Sequence, residues 1–215
     1  MERQKGLDIK HSKVILAILY LVGIAGHLIP LTKNIMLTLT PYTLLMAGVL
    51  VIVSSSDKKN VQLLKWMIIT YSFTFLSEVI GVHTGLIFGS YIYGNILGLK
   101  LLGVPLIIGF NWVLIILGAI NIAESIEKNA FTTAMLAAVL AVLFDLMLEP
   151  IAIKLDYWNW TKGGIPLRNY YAWFGIAFIS SYLYKKMSVK TDTDIFRFYF
   201  VLQLIFFVVL SLFIG

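Results

Sequence analysis

Apolar runs recur along the whole of this chain with only short polar breaks between them, and that pattern leaves it few folds to adopt. They fall at about residues 14–30, 35 or 41 to 53, 61–80, 104–122, 130–149, 168–184 and 198–214. Most are close to the roughly 20 residues that a helix needs to cross bilayer hydrocarbon. With 60% hydrophobic residues, 13% charged residues and a mean hydropathy of +0.89, the chain lies far from the composition of a soluble domain. We therefore expect an all-α, polytopic integral membrane protein with about seven transmembrane helices. Residues 1–215 would form a single transmembrane domain, with no room for a separate soluble one. The polar residues 1–13 have the basic start of a signal peptide, but the apolar run that follows is too long for one, so the first helix is read as uncleaved.

Charge refines the picture. The net charge of +6 comes from bases in short juxtamembrane loops, where anionic headgroups and topology explain it better than nucleic acid does. With seven spans, 12 of the 17 Lys and Arg residues fall on the N-terminal side, which predicts a cytoplasmic N-terminus and a non-cytoplasmic C-terminus. Cysteine is absent, so disulfides and thiol chemistry are excluded. A turn is expected at Lys33-Asn34 and a loop at residues 54–60, and His27 is read as an interfacial or packed histidine rather than a ligand.

Acids are rare in apolar helices, and this chain has three in or at the end of such runs. Asp145 and Glu149 lie one turn apart and share a face, and Glu78 lies near the end of the third run. Intramembrane carboxylates are costly, so function is the default hypothesis. Each has a plain alternative: Glu149 beside Pro150 marks a helix end, and Asp145 or Glu78 bonds a neighbouring helix. After Glu78 come His83, glycines at 81, 85 and 89, and Tyr91-Ile92-Tyr93. That four-residue glycine spacing fits either close helix packing or irregular backbone covered by protein. After Glu149 come Trp158-Asn159-Trp160, then Asn169 and Trp173, as Trp112 follows the first aromatic segment. The two units suggest a parallel internal duplication of helices 3–4 and 5–6.

Three chemistries compete for these residues. Burial disfavours charging a carboxylate, and a second one a turn away disfavours charging both, so one of the pair can carry a proton. Such an acid can protonate an alkene, and aromatic faces can stabilise the resulting cation, with no cofactor. Alternatively, the carboxylates bind or relay a cation in a small transporter. A metal site is the third reading, but no ligand spacing supports it. A retinal pump is excluded because the last span contains no lysine.

Glu78, Gly81, Gly85, Gly89-Ser90-Tyr91-Ile92-Tyr93, Leu97-Gly98, Gly103-Val104-Pro105 and Trp112 together resemble the membrane carotenoid biosynthesis family of carotenoid hydratases. A second signature, Asp145, Glu149-Pro150, Trp158-Asn159-Trp160, Ile165-Pro166, Asn169 and Trp173, is similar in the same way. The resemblance covers about residues 60–180 and implies addition of water to the terminal C=C bond of an acyclic carotenoid end group. Substrates in such a family are bisanhydrobacterioruberin-like or gamma-carotene-like polyenes, and related proteins cyclise lycopene-type ends from the same protonation. The partners it implies are a lipid-soluble carotenoid, the bilayer and other carotenoid-pathway membrane enzymes. It supplies no assignment of catalytic residues, so roles follow from the chemistry. Asp145 or Glu149 donates the proton, and Glu78, with His83, positions water and accepts its proton. Tyr91, Tyr93, Trp112, Trp158, Asn159, Trp160, Asn169 and Trp173 form the substrate pocket.

Overall fold

A computed structural model describes residues 8–55, 60–161, 163–191 and 194–214. The bases Arg3, Lys5, Lys58, Lys59 and Lys162, and the centre of the expected loop at 54–60, lie outside them. The described residues form seven helices: α1 (Ile9–Leu28), α2 (Pro30–Ser54), α3 (Val61–Thr84), α4 (Leu106–Ile126), α5 (Ala130–Lys154), α6 (Leu167–Lys186) and α7 (Ile195–Ile214). Six are long and apolar enough to cross a membrane. The exception is α6, whose 20 residues include Arg168, Asn169, Ser180, Ser181, Lys185 and Lys186.

The helices depart from the expected boundaries for local reasons. Lys33 and Asn34 lie inside α2 rather than at a turn. The break is the single extended residue Ile29, because Pro30 takes the first helical position, where a missing N–H costs nothing. α3 runs past residue 80 to Thr84 and ends at Gly85, whose φ of 64° is the left-handed closing conformation that glycine favours. The expected end of α5 at Glu149 is also passed: Pro150 lies within the helix, which continues to Lys154.

Besides helices, the described residues contain four short strands that the sequence reading did not name. β1 (Tyr91–Tyr93) pairs antiparallel with β4 (Trp158–Trp160), in the register Tyr91 with Trp160, Ile92 with Asn159 and Tyr93 with Trp158. β2 (Lys100–Leu101) and β3 (Val104–Pro105) form a second two-stranded ladder. The two aromatic connections, 67 residues apart at the centre of their pairing, are thus one unit lying across the ends of α3 and α5.

Small residues set how closely the helices approach. α4, the most deeply buried of the candidate spans, touches α2, α3, α5, α6 and α7. Gly48 of α2 lies against Phe110 and Leu114, and Gly118 of α4 lies against Phe200 and the Phe196 carbonyl of α7. In α5, Ala134, Ala137, Ala138 and Ala141 are fully buried. Leu16, Val51, Leu64 and Ile68 show the usual division of a bundle in lipid, the first two inside and the last two on the apolar surface.

Candidate active site

The three acids of the apolar helices meet beneath the β1–β4 ladder. α5 presents Asp145 and Glu149 from one face, as their spacing requires, and α3 presents Glu78 from the opposite side. All three are at least 96% buried. Strand side chains alternate between faces, so Tyr91, Tyr93, Trp158 and Trp160 reach the acids while Ile92 and Asn159 do not. α6 adds Asn169 and Trp173, one turn apart, and α4 adds Asn111 and Trp112.

The carboxylates are held by neutral donors. Glu149 Oε2 accepts from the indole nitrogens of Trp158 at 3.0 Å and Trp160 at 2.9 Å. The Asn169 amide nitrogen donates to Asp145 Oδ2 at 2.7 Å and to Glu149 Oε1 at 3.1 Å, joining the pair. Glu78 accepts from the Tyr91 hydroxyl and interacts with that of Tyr93. Burial, and then the neighbouring Glu78 carboxylate, push both phenols well above their usual range, so each keeps its proton and donates. Among the described residues the ion pairs are His11–Asp8, Lys13–Asp194 and Lys185–Glu124, none of which includes a site acid. Nor is any group of three or more His, Asp or Glu among those residues arranged to hold a metal ion.

Aromatic rings wall the space between the acids. Trp112 and Trp173 stack with centroids 3.7 Å apart, and Phe88 stacks on the other side of Trp173 at 5.0 Å. Tyr91 leans on Trp160 at 5.0 Å, and Tyr93 meets Trp158 edge-on at 5.8 Å. The cavity they enclose offers about 50 Å³ to a water-sized sphere, room for a few waters. Such a chamber presents carboxylates to an apolar ligand, beside water and under π-faces that favour positive charge.

Ten of the 12 residues singled out from the sequence line this cavity. His83 does not: it is exposed, and its Nε2 lies 3.1 Å from the Leu102 carbonyl oxygen. Five residues beyond Glu78 on a continuous helix, it sits roughly 140° around the axis at 3.6 residues per turn. Asn159 is also outside, donating to Asp156 Oδ1 at 2.7 Å. Phe88, Asn111, Tyr157 and Phe207 line the cavity without having been singled out as site residues. Phe88 gave only a weak signal, an aromatic among glycines, and Phe207 gave none within a helix rich in Phe. Asn111 could have been found as a polar residue in an apolar run, since it pairs with a second one, Gln203, whose Nε2 donates to Asn111 Oδ1 at 2.8 Å.

The chain as a whole is similar to known proteins. The family described as carotenoid biosynthesis protein matches residues 38–215. Bisanhydrobacterioruberin hydratase of Haloarcula japonica is 35% identical over 104 residues, 45% of this chain and 36% of the relative, so the chain spans little more than a third of that protein's length. No solved structure matches.

Proposed function

The chain belongs to the carotenoid biosynthesis protein family, and we propose that it is a cofactor-independent carotenoid hydratase that adds water to the terminal C=C bond of an acyclic end group. The observation that carries this reading is the cluster of Asp145, Glu149 and Glu78 in an aromatic-walled cavity with room for water. A hydratase needs a proton donor, a site for a tertiary cation and a base that delivers water. The cavity offers one set of groups for each.

Asp145 is the proton donor in this scheme. Glu149 accepts from three N–H groups, which suits an acceptor-only carboxylate, whereas Asp145 takes one donor and shares it. Asp145 gives its proton to the less substituted alkene carbon, forming a C–H bond and leaving a tertiary cation. The faces of Trp112, Trp173 and Phe88 and the Glu149 charge stabilise that cation. Water held at Glu78 forms the C–O bond and loses a proton to Glu78. Return of that proton to Asp145 closes the cycle, with one water consumed.

The room for water favours hydration over cyclisation, because a cyclase must keep its cation dry until the ring closes. The substrate is a lipid-soluble polyene drawn from the bilayer, and other carotenoid-pathway membrane enzymes would supply it. The excess of Lys and Arg on the N-terminal side supports an orientation with the N-terminus in the cytoplasm and the acid cavity toward the opposite surface. The pairing of β1 with β4 about Ile92 and Asn159 supports reading α3–α4 and α5–α6 as duplicated halves.

Pigments from a carotenoid-producing host with and without the gene test the assignment. We expect a mass gain of one water with an unchanged chromophore. Asp145→Asn should lower the rate by about a hundred- to ten-thousandfold, the usual worth of general acid catalysis. Unchanged mass with ring formation would identify a cyclase. Ion flux in proteoliposomes with unaltered pigment would identify a transporter.

A further inference from the structure

A second cavity lies beside the acid chamber, between α1, α2 and α7, and it shares Leu44, Tyr157 and Phe207 with it as common walls. It is larger, about 190 Å³ to a water-sized sphere, and almost entirely apolar. Val22 and Leu39, both on its wall, are 56% and 43% exposed on the apolar outer surface. Between those two helices the cavity therefore meets what would be lipid.

A histidine on its wall does not suit an empty apolar space. His27 is 94% buried, its ring meets Phe206 edge-on at 5.6 Å, and its Nδ1 lies 2.7 Å from the Gly23 carbonyl oxygen. A carbonyl only accepts, so Nδ1 carries the hydrogen and Nε2 is left as an acceptor. That Nε2 is buried and has no hydrogen-bond partner. A buried acceptor without a donor is costly, and the missing partner is an O–H or N–H group.

We propose that this cavity is a binding site for an isoprenoid chain bearing a hydroxyl group, which enters from the bilayer between α1 and α2 and donates its O–H hydrogen to His27 Nε2. The apolar wall takes the hydrocarbon, and the shared wall sets the hydroxyl-bearing carbon next to the acid chamber. The proposal rests on the hydratase reading for the identity of the isoprenoid, and it adds a place where an alcohol, of the substrate or of the product, is recognised.

The test uses the full chain in lipid nanodiscs and a diazirine-tagged all-trans-farnesol as probe. We expect cross-links on peptides carrying Val22, Leu39 or Phe206, and competition about tenfold stronger from farnesol than from the hydrocarbon farnesene, the scale of one hydrogen bond. His27→Phe keeps the ring against Phe206 and should still be labelled while losing that preference. Met36→Trp should fill the cavity and suppress labelling. Labelling scattered over the lipid-facing surface, equal competition, or a preference that survives His27→Phe would overturn the proposal, the last by showing that the hydroxyl is not recognised at Nε2. In conversion assays, a KM raised by His27→Phe only for hydroxylated substrates would identify the substrate's alcohol. Weaker inhibition by hydrated product at unchanged KM would identify the product's, and neither change would count against the site. Asp145→Asn, which lacks the proton donor, should be labelled as the natural chain is. In the natural chain, binding without hydration would remove the hydratase reading alone, and hydration without selective binding would remove this proposal alone.

Discussion

Asn169 has one amide nitrogen and two carboxylates to serve, and its two hydrogens go to different acids. Replacing it with Leu removes that donor from Asp145 and leaves Glu149 with two of three. Hydrogen bonds to charged groups are worth about 1.5–3 kcal/mol, so Asn169→Leu should lower hydrated pigment by roughly ten- to a hundredfold. Trp160→Phe removes one of Glu149's three donors and keeps a ring against Tyr91, so its loss should be smaller. Equal losses at matched protein levels would show that the bridging amide has no special part. The acids were legible in the sequence because a carboxylate in an apolar helix is rare and four-residue spacing fixes a shared face. His83 was misleading for a related reason: reading the helix as ended at residue 80 freed it to turn toward Glu78, and α3 runs on to Thr84.

Among the elements, the β1–β4 ladder carries the largest consequence and was the least visible. Three-residue strands have no periodicity to read, and their partner lies far along the chain. The ladder continues to Gly94, whose N–H donates to the Tyr157 carbonyl at 2.9 Å, and a Cβ there would lie 2.0 Å from the Asp156 carbonyl oxygen. Backbone cannot yield as a side-chain tip does. Gly94→Ala should therefore separate the strands, costing about 1–3 kcal/mol as overpacking does, and withdraw the indoles from Glu149. Gly175→Ala, with nothing within 4 Å of its Cβ, is the control and should leave both the thermal midpoint and product yield almost unchanged. A second contact between elements is electrostatic: Lys13 of α1 donates to Asp194, just before α7, at 2.6 Å. That ammonium holds the Asp194 carboxyl below its usual range. A depressed native value means stability that is present above the unfolded value, near 4, and lost as pH falls through the native one. Because Asp194 is about half exposed, Asp194→Asn should lower the midpoint by at most about 4 °C at pH 7. The difference should vanish on acidification, as melting curves at a series of pH values would show.

For the whole molecule, the apolar runs announced a bundle, and six helices have the length and hydropathy of spans. What they could not announce is that an acid chamber and an apolar one adjoin inside it, because that depends on which faces of distant helices meet. Leu44 of α2, Tyr157 after α5 and Phe207 of α7 come from three parts of the chain and form the partition. The acid chamber is a few waters in size, too small for a branched end group, while the apolar chamber beside it is nearly four times larger. An end group that reaches Asp145 through the apolar chamber must therefore displace part of this wall. Tyr157 is tied to Thr40 by a 3.4 Å hydroxyl contact and is buried, whereas Leu44 has only packing to hold it. Leu44 is thus the residue whose size should set the rate of passage. Leu44→Trp should reduce conversion at least about tenfold, the cost of forcing bulk into a packed wall, without altering the carboxylate hydrogen bonds. Leu44→Ala should spare conversion, and should raise it where passage rather than protonation limits the rate. Product formation at several substrate loads in nanodiscs decides the matter: equal conversion by Trp and Ala variants would place the route to Asp145 elsewhere, through the ladder side of the bundle.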